Sequence, residues 1–118
     1  MSPGADSTVL IVLTTLGADA DVASIARTLV QERLAACVNV LPLMTSFYRW
    51  KGALEQDREQ QLVIKTTPDR ASALEARLRE LHPYELPEII VLDATASVAY
   101  AAWVGESVDS PGCSRALH

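Results

Sequence analysis

The sequence predicts an α+β fold of the ferredoxin-like type, a four-stranded antiparallel sheet with two helices on one face. The chain has 118 residues, 49% hydrophobic and 21% charged, which suits one globular domain with a core of its own. Strand-like and helix-like segments follow one another in the order β-α-β-β-α-β. Right-handed crossovers then place both helices on the same face of the sheet. A further short helix is predicted after the last strand.

The first half of this order consists of a strand, a helix and a long strand. Residues 8–15 are apolar and β-branched without alternation, which indicates a strand covered on both faces. Apolar residues then recur at helical spacing over 22–36, and Asp19 or Asp21 can cap this helix. Residues 37–50 predict one long strand, interrupted or bulged near its proline, and a Lys-Gly turn follows.

The second half has the same order of elements without a repeated sequence. A strand is predicted over 60–66, and Thr67 with the proline after it marks the start of the second helix. On the outer face of this helix, Glu75 and Arg79 are spaced for an i,i+4 ion pair. The last strand is predicted over 87–95. The inner face of the helix carries four apolar side chains, Ala71, Leu74, Leu78 and Leu81.

Both ends of the chain are predicted to lie outside the domain, which extends over 8–108. Ser97 caps the short closing helix, and residues 109–118 are expected to form a disordered tail. Residues 1–7 are expected to be a flexible N-terminus, and they lack the basic and apolar regions of a signal peptide. No apolar run is long enough to span a bilayer, so we expect a cytoplasmic protein without membrane contact.

The strands also predict that the chain assembles with copies of itself. They are apolar at both parities, because Ile11 alternates with Val12 and Ile90 alternates with Val91. With helices on one face only, the other face would expose on the order of several hundred Å² of apolar surface, which monomers rarely tolerate. The long strand over 37–50 leaves an open edge as well. We therefore expect an oligomer that covers this face.

Residues 82–90 hold the densest group of polar side chains, between the second helix and the last strand. Pro83 ends the helix and Pro87 precedes an apolar strand, so the connection is stiff. Stiff polar connections on a rigid scaffold often carry binding sites. His82 can ligate copper or zinc through a neutral imidazole, although a histidine at a helix C-terminus more commonly interacts with the helix dipole.

Five further patterns occupy residues 35–40, 46–52, 65–67, 82–90 and 100–103. In this order and spacing they resemble the motifs of the CutA family, whose members are linked to divalent-cation tolerance. The likeness extends over about residues 8–104. The resemblance implies a homotrimer with its three sheets packed together. It also implies binding of Cu²⁺ or another divalent cation, with no obligatory cofactor.

The resemblance implies candidate site residues as well. The family's copper site, where described, uses a Cys at the end of the first strand and two consecutive His before Pro-Tyr. This chain has Thr14-Thr15 and Leu81 at the places of the Cys and the first His, so only His82 corresponds and weak metal binding is expected. The candidate ligand cleft comprises Glu59, Lys65, Tyr84 and Glu88.

Structural roles for two of these residues stay open, since Lys65 can extend to solvent from a strand end and Glu59 can be a hairpin charge. Tyr48, Trp50 and Trp103 are predicted interface residues, because amphipathic aromatics near sheet edges often anchor partners. Of the two cysteines, the first is expected in the core and the second in the tail.

Composition and missing motifs exclude several function classes. The net charge of −5 and the absence of aromatics on the central strands argue against a nucleic-acid partner. The chain has no Gly-rich phosphate loop, no Cys-x-x-Cys loop and no recognisable catalytic triad, so we expect no enzyme.

Three functions therefore remain open. One is a CutA-type trimer that binds copper or another divalent cation weakly through His82. Another is a small-molecule or anion sensor resembling the PII signal proteins, which share this trimer and bind ligands in clefts between subunits. The third is a structural scaffold without a ligand.

Overall fold

The computed structural model describes residues 7–109, and the predictions for the N-terminal residues 1–6 and for most of the tail lie outside this range. In chain order the elements are β1 (Thr8–Gly17), α1 (Val22–Gln31), β2 (Cys37–Val40), β3 (Met44–Trp50), β4 (Ala53–Thr66), a 3₁₀ turn (Pro68–Arg70), α2 (Ala71–Leu81), β5 (Ile90–Thr95) and α3 (Val98–Val108). The predicted α+β class and the order of its elements are confirmed.

The strands form one antiparallel sheet built around β4, which has 14 residues. Along the sheet the order is β2-β4-β1-β5, and β3 also pairs with β4. Val40 at the end of β2 lies opposite Leu62, and Met44 at the start of β3 lies opposite Glu59. The predicted long strand is thus two segments along the same edge of β4. They are separated near Pro42, which cannot donate a ladder hydrogen bond.

Beyond the end of β1, strands β3 and β4 continue as a two-stranded arm over residues 44–59. The last pair between β1 and β4 joins Gly17 and Glu59, whereas β3 pairs with residues 53–59. At the tip, Lys51 and Gly52 have positive φ angles of 50° and 83°, as a two-residue hairpin turn requires. The prediction that β4 begins at residue 60 was wrong. Residues 53–58 are mostly polar and pair with β3 beyond the end of β1, so they have no core-facing pattern.

The main core lies between the sheet and the two crossover helices, α1 and α2. Its fully buried side chains are Val12 and Leu16 of β1, Leu62 and Ile64 of β4, Leu29 of α1, and Leu74 and Leu78 of α2. These strand residues are all even-numbered, because alternate side chains of a strand point to the same face. This face of the sheet is helix-covered at β1 and β4, as predicted, whereas Val91 of β5, opposite Val12, is 46% exposed.

The helix boundaries follow from local hydrogen bonds. Asp21 caps α1, since its Oδ1 accepts from the Ser24 N–H at 3.1 Å. The helix ends at Gln31 rather than near residue 36, because Arg33 adopts a positive φ of 59° and reverses the chain direction. Thr67 precedes a 3₁₀ turn without a capping bond from its side chain, so this predicted cap was wrong.

On α2, the predicted ion pair between Arg79 and Glu75 is confirmed, with a nitrogen–oxygen distance of 2.8 Å.

Helix α3 packs on the opposite face of the sheet. Ala101, Val104 and Val108 contact Val9 of β1 and Ala36, and together they form a second, smaller core. The predicted cap is confirmed, because the N–H of Tyr100 donates to the Ser97 hydroxyl at 3.2 Å. The prediction that this face has no cover within the chain was wrong at one end of the sheet. Elsewhere Ile90 and Leu92 of the edge strand β5 remain 44% and 46% exposed.

Within residues 7–109, no helix has both the length and the apolar character needed to cross a membrane.

Candidate functional site

A cleft of about 780 Å³ lies between the β3–β4 arm and the segment 83–88 that joins α2 to β5. We call it the arm cleft. Its aromatic side chains are Phe47, Tyr48, Trp50 and Tyr84, and its charged side chains are Glu59, Glu85, Glu88 and Lys51. Aromatic walls with a few converging polar groups are typical of sites for small ligands.

Glu59 lies at the inner end of the arm cleft and is only 8% exposed. The Tyr84 hydroxyl donates to Glu59 Oε2 at 2.8 Å. This bond offsets part of the cost of taking a carboxylate out of water. Gly17 lies opposite Glu59 in the sheet, and its lack of a side chain leaves room for the Tyr84 phenol. A Cβ at position 17 would lie 3.2 Å from the Tyr84 hydroxyl oxygen. The Tyr84 phenol is thus held in hydrogen-bonding contact with the Glu59 carboxylate.

His82 anchors the segment 83–88 to the sheet. It is 8% exposed, and its Nε2 lies 2.7 Å from the carbonyl oxygen of Thr15. A carbonyl can only accept, so Nε2 carries the proton and donates it. Nδ1 in turn accepts from the N–H of Tyr84 at 3.2 Å. Both ring nitrogens of the neutral imidazole are therefore used within the chain.

All three tyrosines of the chain are held in the protonated form. The hydrogen bond from Tyr48 to Asp57 raises the pKa of Tyr48 to about 12. Burial, followed by the hydrogen bond to Glu59, raises the pKa of Tyr84. Burial also raises the pKa of Tyr100, on α3.

These shifts predict an unusual alkaline titration. In the folded protein, tyrosinate absorbance is expected to stay low at pH 10 and to rise only well above it, whereas unfolded chains titrate at about 10. The folded pKa values exceed the unfolded ones, so this contribution to stability is present below pH 10 and is lost as the pH rises through the folded values. Spectrophotometric titration with and without denaturant measures both curves. A native Tyr48 or Tyr84 phenol that titrates at or below 10 would contradict the hydrogen bonds described.

The structure brings together three of the four predicted cleft residues. Glu59, Tyr84 and Glu88 all line the arm cleft, but Lys65 does not. Lys65 donates to the Asn39 side chain, and its Nζ lies 4.0 Å from Cys37 Sγ, on the sheet face away from α1 and α2. Six residues of extended strand separate Lys65 from Glu59, which corresponds to about 20 Å. Resemblance alone could not reveal this separation.

The predicted interface residues lie in two places. Tyr48 and Trp50 are on the arm and line the cleft, whereas Trp103 lies on α3 beside Tyr100, with ring centroids 5.5 Å apart. Cys37, predicted in the core, is only half-buried, and it is a free thiol.

Sequence analysis missed several residues of the cleft region. The most informative is Asp57, which accepts the Tyr48 hydrogen bond on the arm. The signal was present, because Glu55, Asp57 and Glu59 recur with the period of two that places strand side chains on one face. It was overlooked because the strand was predicted to start after them.

A preformed metal centre does not fit the described residues. Among residues 7–109, no group of three or more His, Cys, Asp or Glu side chains is arranged to hold an ion. Thr14 is fully buried and its hydroxyl has no hydrogen-bond partner, and Leu81 packs against the main core. His82 is the only histidine in this part of the chain, and its ring nitrogens are already bonded.

Comparison with known proteins assigns the family. Residues 10–107 match the sequence model of the family described as CutA1 divalent ion tolerance protein. The chain belongs to this family. It is 43% identical over 98 residues to the divalent-cation tolerance protein CutA of Thermus thermophilus, a match that covers 82% of this chain and 95% of the relative.

Two further CutA proteins agree with this assignment. The Protein CutA homolog of Xenopus laevis is 51% identical over 85 residues, which are 71% of this chain and 56% of that protein. The solved structure of the PII-like protein CutA from Nostoc sp. PCC 7120 in apo form superposes with a TM-score of 0.79 at 35% identity. That match covers 85% of this chain and 97% of the Nostoc chain. The CutA resemblance predicted from five motifs is confirmed.

Proposed function

We propose that this CutA chain acts in divalent-cation tolerance as a non-enzymatic homotrimer that binds a ligand in the arm cleft. The arm cleft itself carries the proposal. It joins a concave volume of about 780 Å³ to a buried carboxylate, Glu59, that is held in place by Tyr84. Maintaining a buried carboxylate costs free energy, and such groups concentrate at functional sites.

The exposed apolar surface supports the trimer. Ile90 and Leu92 on β5 are about half exposed, and Trp103 on α3 is 45% exposed. β5 is an edge strand, so its free backbone groups can pair with another chain. A closed ring of three subunits covers face and edge together. With Tyr48 and Trp50 at the rim of the arm cleft, a neighbouring subunit would complete that cleft.

A small-molecule ligand is favoured over a bare metal ion. The Nostoc relative is named a PII-like protein. The resemblance to PII proteins implies ligand clefts between subunits. The arm cleft is also large for an ion and has apolar walls that an ion would not use.

Weak copper binding through His82 is a second candidate function. His82 is the imidazole that corresponds to the family's ligand set, and the described residues hold no other. Copper would have to displace the Tyr84 N–H from Nδ1 or the Thr15 carbonyl from Nε2. Binding at this site would therefore be weak, and it would weaken further at acid pH as protons compete for the ring.

Calorimetric titration of the purified protein with Cu²⁺, Zn²⁺ and common nucleotides tests the proposal. We expect weak copper binding that is lost in His82→Ala. The double variant Leu81→His with Thr14→Cys should bind copper at least roughly tenfold more tightly, since thiolate and imidazole ligands favour copper. Tyr84→Phe, which keeps both ring nitrogens of His82, serves as the control for copper and should weaken a cleft ligand instead. Tight, stoichiometric copper binding that survives His82→Ala would contradict this assignment.

A further inference from the structure

The charge of the arm cleft is negative. Three carboxylates line it, Glu59, Glu85 and Glu88, against one ammonium, that of Lys51. Lys65, the cation that would have suited an anionic ligand, lies on a different part of the sheet. A phosphate or carboxylate ligand would meet like charges at short range, which costs free energy in a partly desolvated cleft. The side chains that this subunit contributes to the cleft therefore favour a cation.

One carboxylate oxygen among the cleft residues also lacks a hydrogen-bond donor. Glu88 Oε2 is buried and has no hydrogen-bond partner among residues 7–109. Glu59 Oε2 accepts from Tyr84, and a carboxylate can accept several bonds at once. A buried acceptor without a partner is costly, and an N–H donor from a ligand would remove that cost. This feature favours a cation that carries N–H groups.

Other side chains that line the cleft are aromatic or apolar. Phe47 is 65% exposed, and Met44, Trp50 and Leu86 line the same volume. The Lys51 ammonium already lies 5.7 Å from the centre of the Trp50 ring. Aromatic faces attract cations, as this contact within the chain illustrates. A hydrated metal ion would leave these surfaces unused.

We propose that the arm cleft binds an organic cation with N–H donors, a primary alkylammonium or a guanidinium. Its charged end lies between Glu59 and Glu88, and its apolar body lies along Phe47 and Trp50. The inference rests on the proposed function, because it takes the arm cleft as the ligand site. It adds the chemical class of the ligand and excludes the anionic class.

A matched pair of ligands tests the donor requirement. Hexylammonium and hexyltrimethylammonium have the same charge and the same alkyl body, but only the first has N–H donors. Calorimetry on the full-length protein is expected to show that hexylammonium binds at least roughly tenfold more tightly than hexyltrimethylammonium. The trimethylated cation cannot donate a charged hydrogen bond to a buried carboxylate. Agmatine, with a guanidinium and an ammonium, tests the guanidinium class in the same assay.

Variants place the ligand in the cleft. Glu88→Gln is nearly isosteric and is expected to weaken hexylammonium binding about tenfold. Trp50→Leu should weaken both alkyl cations by a similar factor, several-fold, because it removes the aromatic wall without touching the carboxylates. Glu75→Gln removes the same charge from the outer face of α2 and should leave both affinities unchanged. Thermal melts and light scattering of each variant confirm that it is folded and assembled.

Two results would overturn the inference and leave the proposed function standing. The first is that the two alkyl cations bind with equal affinity. The second is that neither alkyl cation binds, whereas ADP, citrate or Cu²⁺ does bind and loses its binding when the cleft residues are substituted. A protein that binds none of these probes would overturn both the inference and the proposed function.

Discussion

Ile11→Asp is expected to separate the trimer into monomers and to lower solubility. Ile11 lies opposite Leu92 of β5 and opposite Lys65 of β4, so its side chain is on the sheet face away from α1 and α2. Helix α3 packs on this face in a cluster with Val9 and Ala36 that does not include Ile11. In the trimer we expect Ile11 to be buried against neighbouring subunits.

The size of the effect follows from desolvation. Burying an unpaired carboxylate in an apolar contact costs several kcal/mol, and each 1.4 kcal/mol or so is tenfold in an association constant. Because the contact recurs in every subunit of a ring, the penalty is imposed three times per trimer. We therefore expect association at low micromolar concentration to be lost completely.

Light scattering after size-exclusion chromatography measures this outcome. The wild-type chain should give about three times the subunit mass of 12.8 kDa, and Ile11→Asp should give a single subunit mass. Ile90→Asp should act in the same way, since Ile90 lies opposite Leu13 on the same face. Ala76→Asp on the exposed side of α2 is the matched control and should remain assembled. A wild-type protein that is monomeric at this concentration would refute the packing argument itself.

The same parity argument explains why the fold could be predicted from sequence. The core strands carry apolar residues on both faces. Helices α1 and α3 begin at Asp21 and Ser97, whose side chains accept a hydrogen bond from the backbone three residues later. Such signals depend on neighbours in the chain. The strand boundaries within 44–59 failed because the arm pairs outside the main sheet and has no core to impose a pattern on its side chains.

The candidate site was less predictable, because it depends on contacts between distant residues. Glu59 and Tyr84 are 25 residues apart and share one hydrogen bond, which only the register of β4 and the turn after Pro83 bring about. Lys65 matches a family motif and is only six residues from Glu59 in sequence. Because the intervening strand is extended, Lys65 instead contacts Asn39, away from the arm cleft. His82 was predicted as a metal ligand, and its role in holding the segment 83–88 depends on the carbonyl of Thr15.

His82→Ala is expected to lower the free energy of unfolding by about 2–4 kcal/mol. The substitution leaves the Thr15 carbonyl and the Tyr84 N–H without their partners in a buried site, and each such loss costs about 1–3 kcal/mol. It also leaves a cavity beside Tyr84, whose ring centroid lies 4.9 Å from that of the imidazole. Urea unfolding at a fixed protein concentration measures the change, since the stability of an oligomer depends on concentration.

Unfolding measured with and without Cu²⁺ distinguishes this structural role of His82 from a role as a metal ligand. If His82 acts mainly through its two hydrogen bonds, most of the loss of stability is already present in a chelator, and weakly bound Cu²⁺ adds little to it. Tyr84→Phe removes only the bond to Glu59 and is expected to cost less, about 1 kcal/mol, so it shows how much of the effect comes from the phenol. A His82→Ala protein as stable as wild type in chelator, and less stable only when Cu²⁺ is added, would instead assign His82 to the metal. Because both ring nitrogens are already bonded within the chain, we expect the first result.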